Sequence, residues 1–400
     1  MDYIYLDHNA TTPLLPEAAE AMARCQSEIQ GNPASQHAAG RRARQTLEDA
    51  REGIGRLLGA QIDQFQADRV IFTSGGTEAN HLALLGLAGE ATAHAVISAI
   101  EHPSVVGAAE LLQRRGWRID RLGVSPAGQV SLDALEDLLQ PHTRFVSVML
   151  GNNETGALQP VPQLATRCAT AGVALHTDAA QVAGKAPVDF CKLGVDLMTI
   201  AAHKFHGPVG IGALVLREGV GLQPLLLGGF QQAGLRPGTE SVALAVGMHA
   251  ALAACTRDLE AIRQVVALLR DEFEGLLLEE CPELSVNGAA AERLPHVSNI
   301  AFPEVDGQAL LMALDLAGVG CSTGSACASG SSEASPTLLA MGLEKGLAES
   351  SLRFSLGRDT TADEVRQAAR RILQIYKDLR SKNSGRKTAA SGRNLGKNSL

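Results

Sequence analysis

Lys204 stands between two histidines, in Ala202-His203-Lys204-Phe205-His206-Gly207-Pro208. An apolar run, 195–202, precedes it, broken by Asp196 and Thr199. A glycine-rich segment, 207–212, leads into a second apolar run, 213–216. Short apolar runs bounded by Gly and Pro read as buried strands, which puts Lys204 at a turn between two strands of a core. An ammonium is costly to bury without a partner. Two chemistries fit this position. Either the charged end snorkels to the surface, or the lysine has a lowered proton affinity and condenses with a carbonyl.

Other segments carry groups that a carbonyl-binding lysine would need. Residues 70–74 read as a strand, followed by Gly75-Gly76-Thr77-Glu78-Ala79-Asn80 and an Ala/Leu-rich helix to about residue 88. A strand, a glycine turn and a helix start favour phosphate, through free N–H groups and the helix dipole. A plain strand–helix turn capped by a threonine has the same sequence. Asp178 and Gln181 follow a strand at 173–177, and Asn153 follows one at 145–150. His102 follows a third, at 95–100. A small, polar segment, Gly320-Cys321-Ser322-Thr323-Gly324-Ser325-Ala326-Cys327-Ala328-Ser329-Gly330, has no core periodicity. It reads as a flexible loop offering the Cys327 thiol, since little apolar surface surrounds that residue.

These groups need a frame. Helices are expected at 16–29, 40–58, 103–115, 132–139 and 161–171, alternating with the strands above and one at 117–122. Strands alternating with helices make an α/β domain with a mainly parallel sheet flanked by helices. Ligands of such sheets collect at the carboxyl ends of the strands. Thr77, His102, Asn153, Asp178, Gln181 and Lys204 all fall just past those ends, so one rim can gather them. Residues 222–239 read as a loop, and 240–280 as helical with a break near Cys255. Strands at 297–302 and 353–355 with helices at 306–317 and 362–379 give a smaller α+β domain. The expected division is 15–256 for the large domain, and 1–14 with 257–380 for the small domain that carries the cysteine loop. Residues 381–400 form a basic tail with no acidic residue and are expected to be disordered.

Composition narrows the function classes. The chain has 400 residues, 45% hydrophobic and only 3% aromatic, with net charge −8. That charge argues against a nucleic-acid-binding surface. No apolar run approaches membrane-spanning length, and the first residues lack a basic stretch followed by an apolar core. Seven scattered cysteines with no C-x-x-C suit a reducing cytoplasm better than a disulfide framework or a metal site.

A lysine, an acid at a neighbouring strand end and a phosphate-type helix start are the parts that hold pyridoxal phosphate. With them in order, the chain resembles the cysteine desulfurases of the NifS/IscS type, within the class-V aminotransferase family and the fold-type-I pyridoxal phosphate enzymes. The resemblance runs from about Tyr3 to Tyr376. It rests on Tyr5-Leu6-Asp7-His8-Asn9-Ala10-Thr11-Thr12-Pro13, Gly31-Asn32-Pro33-Ala34-Ser35, Thr73-Ser74-Gly75-Gly76-Thr77-Glu78 and Glu101-His102. Asn152-Asn153-Glu154-Thr155-Gly156, Thr177-Asp178-Ala179-Ala180-Gln181 and His203-Lys204 follow. Arg236-Pro237-Gly238-Thr239-Glu240, Gly324-Ser325-Ala326-Cys327 and Leu352-Arg353-Phe354-Ser355-Leu356-Gly357-Arg358 complete the set.

The resemblance implies a homodimer that removes sulfur from L-cysteine, leaving alanine and a persulfide. Lys204 would hold the cofactor's aldehyde and move the substrate Cα proton, and His102 would stack on the ring and assist that transfer. Asp178 would pair with the ring nitrogen, while Gln181 and Asn153 contact its oxygen. Gly76, Thr77 and His203 would hold the phosphate, with Thr239 reaching in from a second subunit. Arg353, with Asn153, would bind the substrate carboxylate, and Cys327 would attack the substrate sulfur. The sulfur acceptor would be an iron–sulfur scaffold or a sulfur carrier, for cluster, thiolated tRNA or cofactor synthesis. Neither a membrane nor a direct nucleic-acid partner is implied. The chain departs from the family pattern at Ala201, where a phosphate-binding serine is common, and at Val209, Gln232 and Ser335-Pro336-Thr337. A selenocysteine lyase on the same fold and a catalytically silent acceptor scaffold are the competing readings. The Cys327 loop argues against the first, and the joint presence of Lys204, Asp178, His102 and Cys327 against the second.

Overall fold

The computed structural model describes residues 3–89, 91–324 and 334–394, with side chains to residue 383. Twelve strands are named in chain order: β1 Ile4–Tyr5, β2 Arg69–Thr73, β3 His94–Ser98, β4 Arg118–Leu122, β5 Thr143–Ser147 and β6 Ala174–Asp178 come first. β7 Leu197–Ala201, β8 Gly212–Leu216, β9 Ser285–Val286, β10 Val297–Ala301, β11 Val319–Gly320 and β12 Ser351–Ser355 complete them.

Seven strands form the main sheet in the order β2-β8-β7-β6-β5-β3-β4. Its run from β4 to β7 is parallel, as the alternation implies. β8 is antiparallel to both β7 and β2. The cause is the connection before it: residues 202–211 are too few for a crossover helix, so the chain turns back instead. That return carries Lys204. β3, β7 and β8 are buried along their whole length, as strands sandwiched between two helical layers must be. Successive side chains feed opposite layers. Val96 and Val146 pack with the helices Pro16–Glu28, Ala38–Leu57, Val161–Ala171 and Val242–Arg257. Ala95, Ile97 and Phe145 pack with the helices Gly76–Ala88 and Pro103–Arg114.

A separate core lies around the three-stranded antiparallel sheet β12-β10-β9. Phe273, Phe302, Phe354 and Tyr376 fill it, under the helices Leu259–Glu280, Gly307–Leu316 and Ala362–Asn394. β1 joins this part by parallel pairing with β11. The chain then crosses to the large sheet, where Thr12 and Leu15 donate backbone N–H bonds to the carbonyls of His203 and His206, each at 3.0 Å. Among the described residues no single helix is long and apolar enough to cross a membrane.

The tail corrects one expectation. The last helix continues through Asn394, where disorder was expected from residue 381, and 395–400 lie outside the described residues. Extending a formed helix adds one backbone bond per residue without a new nucleus. Asn383 also ties the helix down, donating to the Glu304 carbonyl at 3.0 Å.

Gly212 is where the fold sets the site. A Cβ on it would meet the Gly75 carbonyl carbon at 2.7 Å and the Ile200 oxygen at 2.8 Å, both backbone atoms that cannot turn aside. β8 therefore lies flush against the glycine turn that opens the Gly76–Ala88 helix. Gly212→Ala is expected to cost about 1–3 kcal/mol of stability, read as a lower midpoint in thermal or denaturant unfolding.

Candidate active site

One cavity of ≈ 210 Å³ opens at the carboxyl ends of the parallel strands. Gly76, Thr77, His102, Asn153, Asp178, Gln181, His203, Lys204 and Arg353 all line it. One expected residue does not join them: Thr239 is exposed and does not line the cavity in the single chain. Cys327 lies outside the described residues.

Lys204 ends the short 3-10 turn Ala202–Lys204 that follows β7. Its Nζ donates to two backbone carbonyls of the crossing segment, Asn9 at 2.6 Å and Ala10 at 2.9 Å. Neighbouring His203 bonds the Thr11 hydroxyl through Nδ1 at 3.2 Å. Burial, with the Lys204 and Lys185 charges, lowers its pKa to about 4, so the ring is neutral at physiological pH.

Asp178 ends β6, and its carboxylate accepts from Asn80 Nδ2 at 2.7 Å and from the Ala180 N–H at 2.9 Å. The other Asn80 N–H goes to Ser104 Oγ at 2.8 Å. That hydroxyl lies 2.7 Å from His102 Nδ1, which also accepts the Ser104 N–H at 3.1 Å as the N-cap of its helix. A ring nitrogen that accepts a backbone N–H carries no proton, so the neutral ring has its hydrogen on Nε2. Burial, chiefly, lowers the His102 pKa, with Lys204 and Arg353 adding to it against Asp178. A chain of polar groups thus couples the acid to the histidine.

The Gly76–Ala88 helix begins after Gly75 with no side-chain cap, and Gly76 and Thr77 of its first turn line the cavity, an arrangement that suits an anion. Glu78 in the first turn does not fill that site. Its carboxylate takes the Ser74 N–H at 2.6 Å and the Arg236 Nε at 2.8 Å, and those bonds hold its pKa down despite burial. Ala201 faces Gly76, so the hydroxyl expected to be missing is missing from this wall.

Arg353, on β12, is 2% exposed. It donates to Asp7 Oδ1 at 2.7 Å, the Gly324 carbonyl at 2.8 Å and the Asn153 carbonyl at 3.0 Å. Its Nε is buried with no partner among the described residues. On the far side of the loop that carries Cys327, Ser335 Oγ donates to the buried Glu154 carboxylate at 2.6 Å. Cys321 is partly buried at the base of that loop, and burial raises its thiol pKa.

Sequence reasoning missed the residues that hold the lining groups in place. Asn9, Ala10, Asn80, Ser104 and Lys185 donate or accept through ordinary amide, carbonyl, hydroxyl and amine groups. Their motifs were legible, but a partner 195 positions away, as for Lys204 and Asn9, has no local signature.

Residues 4–367 match the Aminotransferase class-V family. The chain is 38% identical over 383 residues to a cysteine desulfurase of Trichormus azollae, covering 95% of this chain and 94% of that protein. It is 39% identical to a cysteine desulfurase IscS of Dictyoglomus turgidum, with 94% and 95% covered, and 37% identical to a cysteine desulfurase NifS of Azotobacter vinelandii, with 94% of each covered. Among solved structures, a NifS-like protein superposes with a TM-score of 0.87 at 31% identity, covering 94% of this chain and 100% of that one.

Glu101, which precedes His102 in sequence, is buried, with one oxygen 2.5 Å from Ser98 Oγ and 2.8 Å from the Met149 N–H. Its other oxygen has no partner among the described residues. Burial raises its pKa from 4.5 to about 8. A carboxyl raised in the folded state stabilises fully below its unfolded pKa and loses that contribution as pH climbs to the folded one. Glu101→Gln mimics the protonated acid. It is expected to melt with the parent at pH 4.5 and above it by pH 8, the gap opening between them.

Proposed function

We propose a division of labour among the residues of a chain that belongs to the class-V aminotransferase family and is a pyridoxal phosphate-dependent cysteine desulfurase. One observation carries it: a lysine, a buried aspartate, an uncapped helix start and a buried arginine converge on a single cavity. The cavity fits the cofactor. Its polar walls include two buried atoms without partners among the described residues, Asn80 Oδ1 and Arg353 Nε. Gly76, Thr77 and His203 would hold the phosphate, Asp178 the ring nitrogen, and Gln181 with Asn153 the ring oxygen. Bound there, the cofactor supplies an electron sink for the substrate carbanion.

The chain's own groups do the rest. Lys204 Nζ would hold the aldehyde carbon and move the proton from the substrate Cα. His102, its hydrogen fixed on Nε2, would lie against the ring and could donate from that nitrogen. Arg353 takes the substrate carboxylate in a planar fork, for which Nε is available. The Cys327 thiolate attacks the substrate sulfur. An S–S bond forms, the Cβ–S bond breaks with its electrons going to carbon, and protonation of that carbon gives L-alanine. The persulfide then passes its sulfur to an acceptor protein, an iron–sulfur scaffold or a sulfur carrier.

The working unit is a homodimer whose large domain, 15–256, holds the cofactor and whose small domain, 1–14 with 257–380, holds the thiol loop. The segment carrying Thr239 also exposes Leu227 at 91% and Phe230 at 94%. An apolar patch of this kind suits a second copy, which would bring its Thr239 to this phosphate.

Incubation with L-cysteine and a reductant is expected to release sulfide and alanine in equal amounts. Lys204→Ala is expected to abolish borohydride-fixed cofactor and to cut turnover by more than about a thousandfold. Cys327→Ala is expected to keep the visible cofactor band and to lose the persulfide, read by mass spectrometry of the loop peptide. Alanine release at the parent rate from Lys204→Ala overturns the assignment.

A further inference from the structure

We propose that Lys185 is a positioning residue that locks the side-chain amide of Gln181 with its N–H, and not its oxygen, turned toward the cofactor. The proposal rests on the cofactor reading above and adds a residue that it does not use.

Gln181 and Lys185 are four residues apart in the turn after β6. Lys185 Nζ donates to Gln181 Oε1 at 3.0 Å, and Gln181 Nε2 donates to the Asn9 carbonyl at 3.0 Å. A backbone carbonyl only accepts, so the amide nitrogen must lie on the Asn9 side and the oxygen on the lysine side. One amide hydrogen is used by Asn9. The second remains for the cavity that Gln181 lines. The residue facing the cofactor's ring oxygen is thereby a hydrogen-bond donor, which favours the anionic form of that oxygen.

Lys185 treats Asn9 the same way. Its Nζ lies 3.3 Å from Asn9 Oδ1, which also accepts from His296 Nε2 at 2.8 Å, and Asn9 Nδ2 donates to the Asn153 carbonyl at 3.0 Å. The lysine therefore meets two amide oxygens. Among the described residues it has no ion pair. The groups around it are Lys204, Arg353 and the Cys255 thiol, with His8, His206, His296 and Arg358 across a small cavity. Burial and the Lys204 and Arg353 charges push it well below the ordinary lysine pKa. A neutral amine still has two N–H groups for the two oxygens, so the lock holds in either protonation state.

The test is a pH titration of the visible absorbance of the cofactor-loaded protein. Losing a donor to an anionic oxygen raises the pH at which the lysine-bound cofactor loses its proton. Lys185→Met is expected to raise that midpoint by about one unit, the size of one ordinary hydrogen bond. Removing a nearby cation would also raise it, so the double variant decides. If Lys185 acts through Gln181, then Lys185→Met adds nothing in a Gln181→Ala background, and Lys185→Arg restores the parent midpoint. An unchanged midpoint in Lys185→Met overturns the inference, as does an undiminished shift on top of Gln181→Ala. Lys185→Ala gives the same reading should the Met variant not fold. A parent protein with no visible band overturns the cofactor reading itself, which separates the two failures.

Discussion

The Lys204 amine donates to the backbone carbonyls of Asn9 and Ala10, at 2.6 and 2.9 Å. The site depends on these two carbonyls, which fix the nitrogen in space. They belong to residues 9 and 10, which stand between two anchors. On one side β1 pairs with β11, and the Ser355 N–H donates to the Leu6 carbonyl at 2.7 Å. On the other, Thr12 and Leu15 bond the carbonyls of His203 and His206. The lysine is in place only when the second core is docked on the first.

The electrostatics follow from that arrangement. Lys185, Lys204 and Arg353 lie near one another, against two site carboxylates, Asp7 and Asp178. Each carboxylate already has a partner, Arg353 for Asp7 and Asn80 for Asp178. The surrounding histidines add no charge at physiological pH, since burial takes His8 and His203 to about 4 and lowers His206 and His296 as well. In the proposed roles, a phosphate at the Gly76 helix start and a substrate carboxylate at Arg353 are the anions this cavity would take.

The parallel strands and their helices were legible because burial imposes a period that sequence carries. The α/β alternation, a helix break near Cys255, found at Asp258, and the gathering of residues past strand ends all came from that signal. The helix Val161–Ala171 appears with the bounds expected of it. The antiparallel β8 was implied only by a connection too short for a helix. What stayed hidden was of two kinds. The helical backbone of 381–394 lacks an apolar stripe, so composition pointed to disorder where an existing helix simply continues. The network of Asn9, Asn80, Ser104 and Lys185 is built from residues whose type says nothing of their partner. Chemistry-bearing residues announce themselves by type and position, but the groups that orient them are fixed by distant pairings.

Arg353 shows how closely these layers meet. Its guanidinium bonds Asp7, from the segment that places Lys204, and Asn153, from the strand end beside Asp178. It also bonds Gly324, the last described residue before the Cys327 loop. The opposite stem ends on Glu154, next in sequence to Asn153, through Ser335. Gly324 packs on that same carboxylate, closely enough that a Cβ there would meet Glu154 Oε2 at 2.5 Å. Both stems of the thiol loop are thus tied to the wall that would grip the substrate carboxylate. An arginine that only bound substrate could sit on any rim residue. One that also carries the loop stem has to be buried on a strand, and β12 supplies that strand from the core of the second unit.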